Sequence, residues 1–144
     1  MKIFSMIGLC LLATTAAFSQ SPTLSSLKGT YVFTQQGNVQ SNQSITGLGV
    51  MTLDGSGNIT CNETLQVPGA NVISNCSGKY YLNFDGSGVI EITYDSMFSS
   101  NPLGDTDQQL STAKFKFYVA NGGKQLRGIR TENGVFVIAS FEKN

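Results

Sequence analysis

Strict alternation of apolar and polar residues is the feature of this sequence that most constrains its fold. In one segment, Phe115, Phe117 and Val119 alternate with Lys116 and its neighbours, so one face is apolar and the other is charged. Such a period of two residues is typical of half-buried β-strands. No window of helical length has an apolar face with the period of a helix. The sequence therefore predicts an all-β protein.

Turn-forming residues divide the alternating segments into eight expected strands. They are expected at residues 29–35, 45–53, 58–65, 77–84, 89–95, 113–120, 124–130 and 134–141. Short connections between so many strands favour an eight-stranded antiparallel up-and-down β-barrel, and a β-sandwich is the alternative. Eight strands enclose room for side chains or for one small ligand. We expect residues 20–144 to form this single domain.

The first nineteen residues have the pattern of a secretory signal peptide. Lys2 precedes an apolar stretch, and small residues follow up to an expected cleavage site before Gln20. The stretch is too short to span a bilayer as a helix, so no membrane insertion is expected. The sequence thus predicts residues 1–19 as a signal peptide and a secreted or periplasmic location.

Composition excludes several classes of function. Nine basic and nine acidic side chains give no net charge and no basic stripe, so nucleic acid is not an expected partner. The chain has no histidine, which excludes Ser-His-Asp and Cys-His catalysis and imidazole zinc sites. Acid–base chemistry would need carboxylates, tyrosines or lysines. We predict no cofactor and no metal.

Two cysteines, Cys61 and Cys76, lie within the predicted domain. Because exported proteins meet an oxidising environment, we expect them to form a disulfide, although two free buried thiols are the alternative. Closing a loop of about 15 residues would stabilise the fold by roughly 3 kcal/mol in the chain-entropy model.

The string DGSG occurs twice, beginning at Asp54 and at Asp85. A calcium loop of the EF-hand type needs oxygen ligands at fixed positions and a glutamate at the twelfth, and neither copy supplies them in any alignment. Both copies are instead predicted to be hairpin turns. Each aspartate would cap a type I turn, and the second glycine, Gly57 or Gly88, would adopt the left-handed conformation.

These turns predict the register of two hairpins. In the first hairpin, Leu53 is expected opposite Ile59. In the second, the expected pairs are Phe84 with Ile90, Leu82 with Ile92 and Tyr80 with Tyr94. In both hairpins the paired residues lie on the apolar face, which we assign to the barrel interior.

The same alternation carries two charged residues inward. Glu63 shares its face with Ile59 and Cys61. A two-residue turn at Gly122 and Gly123 would carry Arg130 inward, whereas a three-residue turn would carry Arg127 inward. Buried charges must be paired or solvated.

Three functions fit such an interior. The first is binding of a small, largely apolar molecule, with aromatic walls and two charges that orient it. The predicted ligand-binding residues are Tyr31, Glu63, Tyr80, Tyr94, Phe117 and Arg130. The second is a cyclase or isomerase that uses Glu63 as its acid–base residue and Arg130 as an electrostatic stabiliser. The third is a surface or matrix protein whose barrel is filled by its own side chains, with Glu63 and the arginine as a structural salt bridge.

Phe136 and Ile138 are expected to point away from the interior. Two large apolar side chains on an outer strand face suggest a contact between copies of the chain, so a homo-oligomer is a further expectation.

The strings LKGTYVF, SGKYYLNFDGSGVIEI and FKFYVANGGKQLRGI resemble a group of small exported bacterial proteins. Members of this group share a GTY-F start, DG-G hairpins and a late segment with two glycines. In architecture the group is similar to lipocalin, avidin and allene-oxide-cyclase barrels, and Tyr31 stands where lipocalins have the tryptophan of their G-x-W opening. The resemblance implies a barrel, and it implies no catalytic residues.

Overall fold

A computed structural model describes residues 21–39, 43–95, 112–131 and 135–144 of the 144-residue chain. Almost all of these residues lie in strands. The strands are β1 (Gly29–Val39), β2 (Gln43–Leu53), β3 (Asn58–Val67), β4 (Ala70–Leu82), β5 (Ser87–Tyr94), β6 (Thr112–Ala120), β7 (Gln125–Arg130) and β8 (Phe136–Lys143). Residues 1–19, the predicted signal peptide, lie outside the described residues.

The eight strands form one closed antiparallel barrel. Each strand pairs with the next along the chain, and β8 pairs with β1, where Phe33 lies opposite Phe141. The predicted up-and-down barrel is therefore confirmed, and the sandwich is excluded. The largest difference from the expected strands is β4, which begins at Ala70, seven residues earlier than predicted. Its polar outer residues, Asn71 and Asn75, resemble loop residues when the sequence is read alone.

Alternate residues of each strand fill the interior. In β3, for example, Ile59, Cys61, Glu63, Leu65 and Val67 are buried and the residues between them are exposed. Burial of this kind removes apolar surface from water, which is the main source of stability. Aromatic rings meet at the centre, where the Phe33 and Phe141 rings stack with centroids 5.5 Å apart.

A short N-terminal segment closes one end of the barrel. It forms a 3₁₀ helix at Ser25–Leu27 and places the Leu27 side chain, which is 0 % exposed, in the interior. The Tyr31 hydroxyl donates to the carbonyl oxygens of Leu27 at 3.1 Å and of Gly123 at 2.7 Å. We call this end, with the turns after β2, β4 and β6, the plugged end.

The first DGSG turn is formed as predicted. Leu53 lies opposite Ile59, and the three loop residues 55–57 include Gly55 and Gly57 with positive φ. The Asp54 carboxylate accepts hydrogen bonds from the backbone N–H of Ser56 at 2.7 Å and of Asn58 at 2.9 Å.

The predicted register of the second DGSG hairpin is wrong. Ile90 lies opposite Tyr80, not Phe84, and Tyr94 lies opposite Cys76. The loop comprises residues 84–86, with Gly86 in the left-handed region, and Phe84 is 93 % exposed at its tip. A shift by an even number of residues keeps each side chain on its face. Tyr80 and Tyr94 therefore stay inside, while Phe84 leaves the interior.

The cause lies in the residues that flank each string. Asn58 follows the first string and donates to Asp54 through both its backbone and its side chain. Val89 stands at the equivalent place after the second string and has no side-chain donor. There Asn83 pairs with Ser87 instead, through its backbone N–H at 2.8 Å and its side-chain amide at 2.9 Å.

The predicted turn between β6 and β7 is confirmed. Val119 lies opposite Leu126, and Phe117 lies opposite Gly128. Arg130 is consequently buried opposite Val137. Arg127 points outward, so the alternative with a three-residue turn is excluded. The predicted turn between β7 and β8 falls partly on residues 132–134, outside the described residues.

Cys61 and Cys76 lie directly opposite each other on β3 and β4. Their Cα atoms are 4.8 Å apart and their sulfur atoms are at bonding distance. The expected cross-strand pair is therefore present in the fold. It joins two strands whose connecting turn lies at the end opposite the plug.

Candidate functional site

A buried polar cluster is centred on Glu63, whose side chain is 1 % exposed. Three strands supply its hydrogen-bonded members. The Tyr94 hydroxyl of β5 donates to Glu63 Oε2 at 2.7 Å, and Gln35 Nε2 of β1 donates to Oε1. Gly47 of β2 lies beside them, because a Cβ at this position would overlap Oε1 and the Gln35 side chain. The glycine thus makes room for the polar groups.

Arg130 supplies the positive charge of the interior. It is 4 % exposed, and its Nη2 donates to the Thr112 carbonyl oxygen at 2.7 Å. Its charge lowers the pKa of Glu63 through space. The ion pairs within 4 Å among the described residues are Lys114 with Glu91 and Arg127 with Glu142, both on the surface. We refer to the four buried residues Glu63, Tyr94, Gln35 and Arg130 as the Glu63 cluster.

Burial dominates the electrostatics of the Glu63 cluster. It raises the pKa of Glu63 above its usual range, and the hydrogen bonds from Tyr94 and Gln35 and the charge of Arg130 oppose this effect only in part. The pKa of Tyr94 lies well above its usual value, because the phenol is buried and a phenolate would face the Glu63 carboxylate. Among the described groups, Glu63 is thus a buried carboxyl group whose pKa lies above its usual value.

The Glu63 cluster lies towards the end of the barrel opposite the plug. Leu65 and Val67 continue β3 beyond it and are buried. The connections at this end include residues 40–42, 96–111 and 132–134, which lie outside the described residues. The expected polar loop around Pro102 is among them.

The structure does not bring all six predicted ligand-binding residues together. Glu63, Tyr94 and Arg130 share the cluster, whereas Tyr31 and Tyr80 hold the plugged end. The Tyr80 hydroxyl accepts from the Gly55 N–H at 3.0 Å and donates to the Leu24 carbonyl at 3.3 Å. The pKa of Tyr31 is raised to about 12, mainly because the phenol is buried and to a smaller extent because Tyr80 lies nearby.

Phe117, the sixth predicted residue, packs between these two groups. Its ring occupies the space above Gly88, where a Cβ would overlap it. The interior around it is filled by side chains that are at most 1 % exposed, including Leu126 and Phe141. The plugged half of the barrel is therefore a packed core.

Gln35 is the member of the Glu63 cluster that the sequence interpretation missed. Gln35 lies on the same strand face as Tyr31 and Phe33, which were predicted to point into the barrel. It is, however, the last residue of the expected first strand. The observed β1 continues to Val39. Extending the alternation by one step would have placed Gln35 in the interior.

The outer wall carries Phe136 and Ile138 as expected. They are 51 % and 50 % exposed, respectively, and point away from the interior. Among the described residues, no helix is long and apolar enough to cross a membrane. The paired cysteines are compatible with a periplasmic or extracellular location.

No protein-family profile matches the sequence, and no curated protein does. Solved structures match the fold. The redesigned β-barrel mFAP1 bound to DFHBI has a TM-score of 0.54 at 13 % identity, and the match covers 85 % of this chain and all of that one. The redesigned barrel b11L5F_LGL has a TM-score of 0.55 at 12 % identity, covering 85 % and 95 %. The redesigned barrel mFAP0 bound to DFHBI has a TM-score of 0.51 at 15 % identity, covering 82 % and 99 %. These likenesses show that the chain has the fold of an eight-stranded barrel.

Proposed function

We propose that the protein binds a small, largely apolar molecule inside the barrel, at the end that contains the Glu63 cluster. The observation that carries this proposal is the burial of Glu63 with its hydrogen-bonding partners in an otherwise apolar interior. Placing a carboxyl group there costs free energy that an apolar side chain of similar size would not cost. Perturbed acidic groups of this kind concentrate at functional sites.

The arrangement of the cluster suggests the chemistry of the ligand. Phe33 and Phe115 are buried in the same interior and offer apolar walls. Glu63, Tyr94 and Gln35 offer a hydrogen-bonding centre that can exchange its internal bonds for bonds to a ligand. We therefore expect a compact apolar molecule with one polar group that enters at the end opposite the plug. Tyr31, Tyr80 and Phe117 would support the site from the packed half.

The similar barrels support this proposal at the level of the fold. Two of them, mFAP1 and mFAP0, are described as bound to DFHBI, a small molecule. An eight-stranded barrel of comparable size can therefore hold a ligand.

Native mass spectrometry of the purified protein, followed by titration with 1-aminoanthracene, tests the proposal. This neutral aromatic amine has an apolar body and one hydrogen-bonding group. We expect it to bind the wild type and to bind Tyr94→Phe about three- to tenfold more weakly, because one hydrogen bond of the cluster is lost. Tyr81→Phe, on the exposed outer face of β4, is the matched control and should bind like the wild type. If neither a retained ligand nor dye binding is detected, or if Tyr94→Phe binds as tightly as the wild type, the interior site is wrong.

The raised pKa of Glu63 favours a second candidate, a cyclase or isomerase that uses the same site. A carboxyl group with a raised pKa can act as acid and base near neutral pH, and Arg130 would stabilise developing negative charge. Any ligand identified by mass spectrometry would be incubated with the wild type and with Glu63→Gln. Conversion by the wild type alone, with binding kept in the variant, supports this role. Equal conversion by both proteins rejects it.

A structural role is the third candidate, and the packed half of the barrel favours it. A surface or matrix protein with a filled barrel would retain no ligand and bind no dye.

Export of residues 20–144 after removal of residues 1–19 is part of our proposal, supported by Cys61 and Cys76 at disulfide distance. A homo-oligomer through Phe136 and Ile138 is supported by their exposure and would be detected by sedimentation velocity.

A further inference from the structure

A groove on the outside of the barrel is independent of the interior site. It has a volume of about 710 Å³ and crosses strands β5 to β8. Its floor is the row of inward-facing residues Gly88, Phe117, Gly128 and Ala139, which lie opposite one another on adjacent strands. Three of these have no side chain or only a methyl group, so the wall is thin here. We call this feature the outer groove.

Two rows of outward-facing residues form the sides of the outer groove. One side consists of Ser87, Tyr118, Arg127 and Ser140. The other side consists of Val89, Lys116, Ile129 and Ile138. Rows two residues apart on a strand are separated by about 7 Å, and four adjacent strands span about 14 Å. The outer groove is therefore shaped for an extended or flat molecule.

Among the residues that the structure describes, the charged side chains lining the outer groove are Lys116 and Arg127. Arg127 is ion-paired with Glu142, which is not part of that lining. Arg127 donates to Ser140 Oγ and to Glu142 at 3.3 Å, which uses two of its five N–H groups. The Lys116 side chain makes no hydrogen bond or ion pair with any residue that the structure describes. Two cations beside an apolar strip of Val89, Ile129 and Ile138 complement an anion with an apolar body.

We propose that the outer groove binds an amphipathic anion of the class of straight-chain carboxylates. The carboxylate would lie between Lys116 and Arg127, where the guanidinium can donate two parallel hydrogen bonds. The alkyl chain would cover Ile129 and Ile138, which are 45 % and 50 % exposed. This ligand would remove the exposed apolar surface of these two side chains from water.

A second concavity suggests how chain length affects binding. It has a volume of about 520 Å³ and shares Arg127, Ile138 and Ser140 with the outer groove. It continues over β1 and β2, where Thr34 and Gln36 form its sides without charge. A longer alkyl chain can extend into it, so affinity should rise from octanoate to dodecanoate.

Isothermal titration calorimetry of the full protein with decanoate tests the proposal. Decanol and decyltrimethylammonium, with the same chain and a neutral or positive head, are the matched probes. We expect decanoate to bind most tightly and the cation not to bind. Lys116→Gln should weaken decanoate about two- to fivefold, as for a solvent-exposed charge pair, and leave decanol unchanged. Ile138→Ser should weaken both.

Lys114→Gln is the control variant, because Lys114 lies two residues away on the same strand and pairs with Glu91 at 2.7 Å outside the outer groove. It should bind decanoate like the wild type, and so should Tyr94→Phe in the interior. The proposal is overturned if decanoate does not bind, if the cation binds equally well, or if Lys116→Gln has no effect. A stable dimer that decanoate does not dissociate would also overturn it, since a second copy would then cover the outer groove.

Discussion

At the scale of the residue, alternation placed Glu63 in the interior, because it shares its face with Ile59 and Cys61. The interior arginine depended also on the length of the turn at Gly122 and Gly123, and the observed register selects Arg130 over Arg127. The hydrogen bonds between β1, β3 and β5 that define the Glu63 cluster could not be predicted in the same way. They depend on how far the strands are staggered around the closed barrel, and a single-strand pattern contains no information about that stagger.

The raised pKa of Glu63 predicts how stability depends on pH. The folded protein holds the proton at a pH where the unfolded chain, with an ordinary pKa of about 4.3, has lost it. The contribution of Glu63 to the free energy of unfolding is therefore fully present below about pH 4, and it is lost as pH rises through the pKa of the folded state. The loss is on the order of 1 kcal/mol for each pH unit between the two pKa values. Thermal melts of the wild type and Glu63→Gln would be recorded between pH 4 and 8. As the pH rises, the Tm of the wild type should fall relative to that of Glu63→Gln.

Glu91→Gln is the control for this experiment, because Glu91 is a partly exposed glutamate on β5 that pairs with Lys114. The difference in Tm between the wild type and this variant should change little over the same range. A Glu63→Gln difference that is constant, or that favours the wild type as pH rises, contradicts the assignment of a raised pKa.

At the scale of the element, two identical strings form different turns. The sequence predicted two hairpins correctly and the register of one of them incorrectly. Asp54 and Asp85 each accept hydrogen bonds from the serine two residues later, so the local turn is the same. The flanking residues, Asn58 in one case and Asn83 in the other, determine where that turn sits between its strands. The tetrapeptide is too short to contain this information.

The two aspartates should therefore differ in their contribution to stability. Asp54 accepts four hydrogen bonds, from Ser56 and Asn58, and Asp85 accepts two, from Ser87. We expect Asp54→Ala to lower the Tm about twice as much as Asp85→Ala, since it removes twice as many hydrogen bonds. Thermal melts at pH 7 would measure this.

The contributions of Asp54 and Asp85 to stability should also depend on pH. Hydrogen bonds hold the pKa of both carboxyl groups below the usual value. Their contribution is present above the unfolded pKa of about 3.9 and declines as pH falls towards the folded values. The two variants should thus approach the wild type in strongly acidic solution. Equal effects of the two substitutions at pH 7 would show that Asn58 does not secure the first turn.

At the scale of the whole molecule, the barrel could be predicted but its plug could not. Eight alternating segments with short connections are sufficient to indicate a closed sheet. The plug is a single 3₁₀ turn at Ser25–Leu27, and a segment of this length has no periodicity that a sequence pattern could reveal. Its position becomes clear only when Tyr31 and Gly123, 92 residues apart, are seen to meet there.

Leu27→Ala should lower the free energy of unfolding by about 2–5 kcal/mol, because it leaves a cavity at the plugged end. Ser25→Ala, in the same turn but exposed, is the matched control and should be nearly neutral. Urea unfolding at pH 7 measures both. A loss for Leu27→Ala as small as that of the control would mean that the segment rests on the barrel without closing it.

The seam between β1 and β8 has a consequence for how fast the chain folds. Tyr31 pairs with Lys143 there, so the two ends of almost the whole domain must meet before the sheet closes. Such distant pairing gives a high relative contact order, and domains of this type fold in about milliseconds to seconds. Until that encounter, β1 and β8 are open edges able to pair with another nascent chain. The interval before closure is therefore when this protein is most exposed to aggregation.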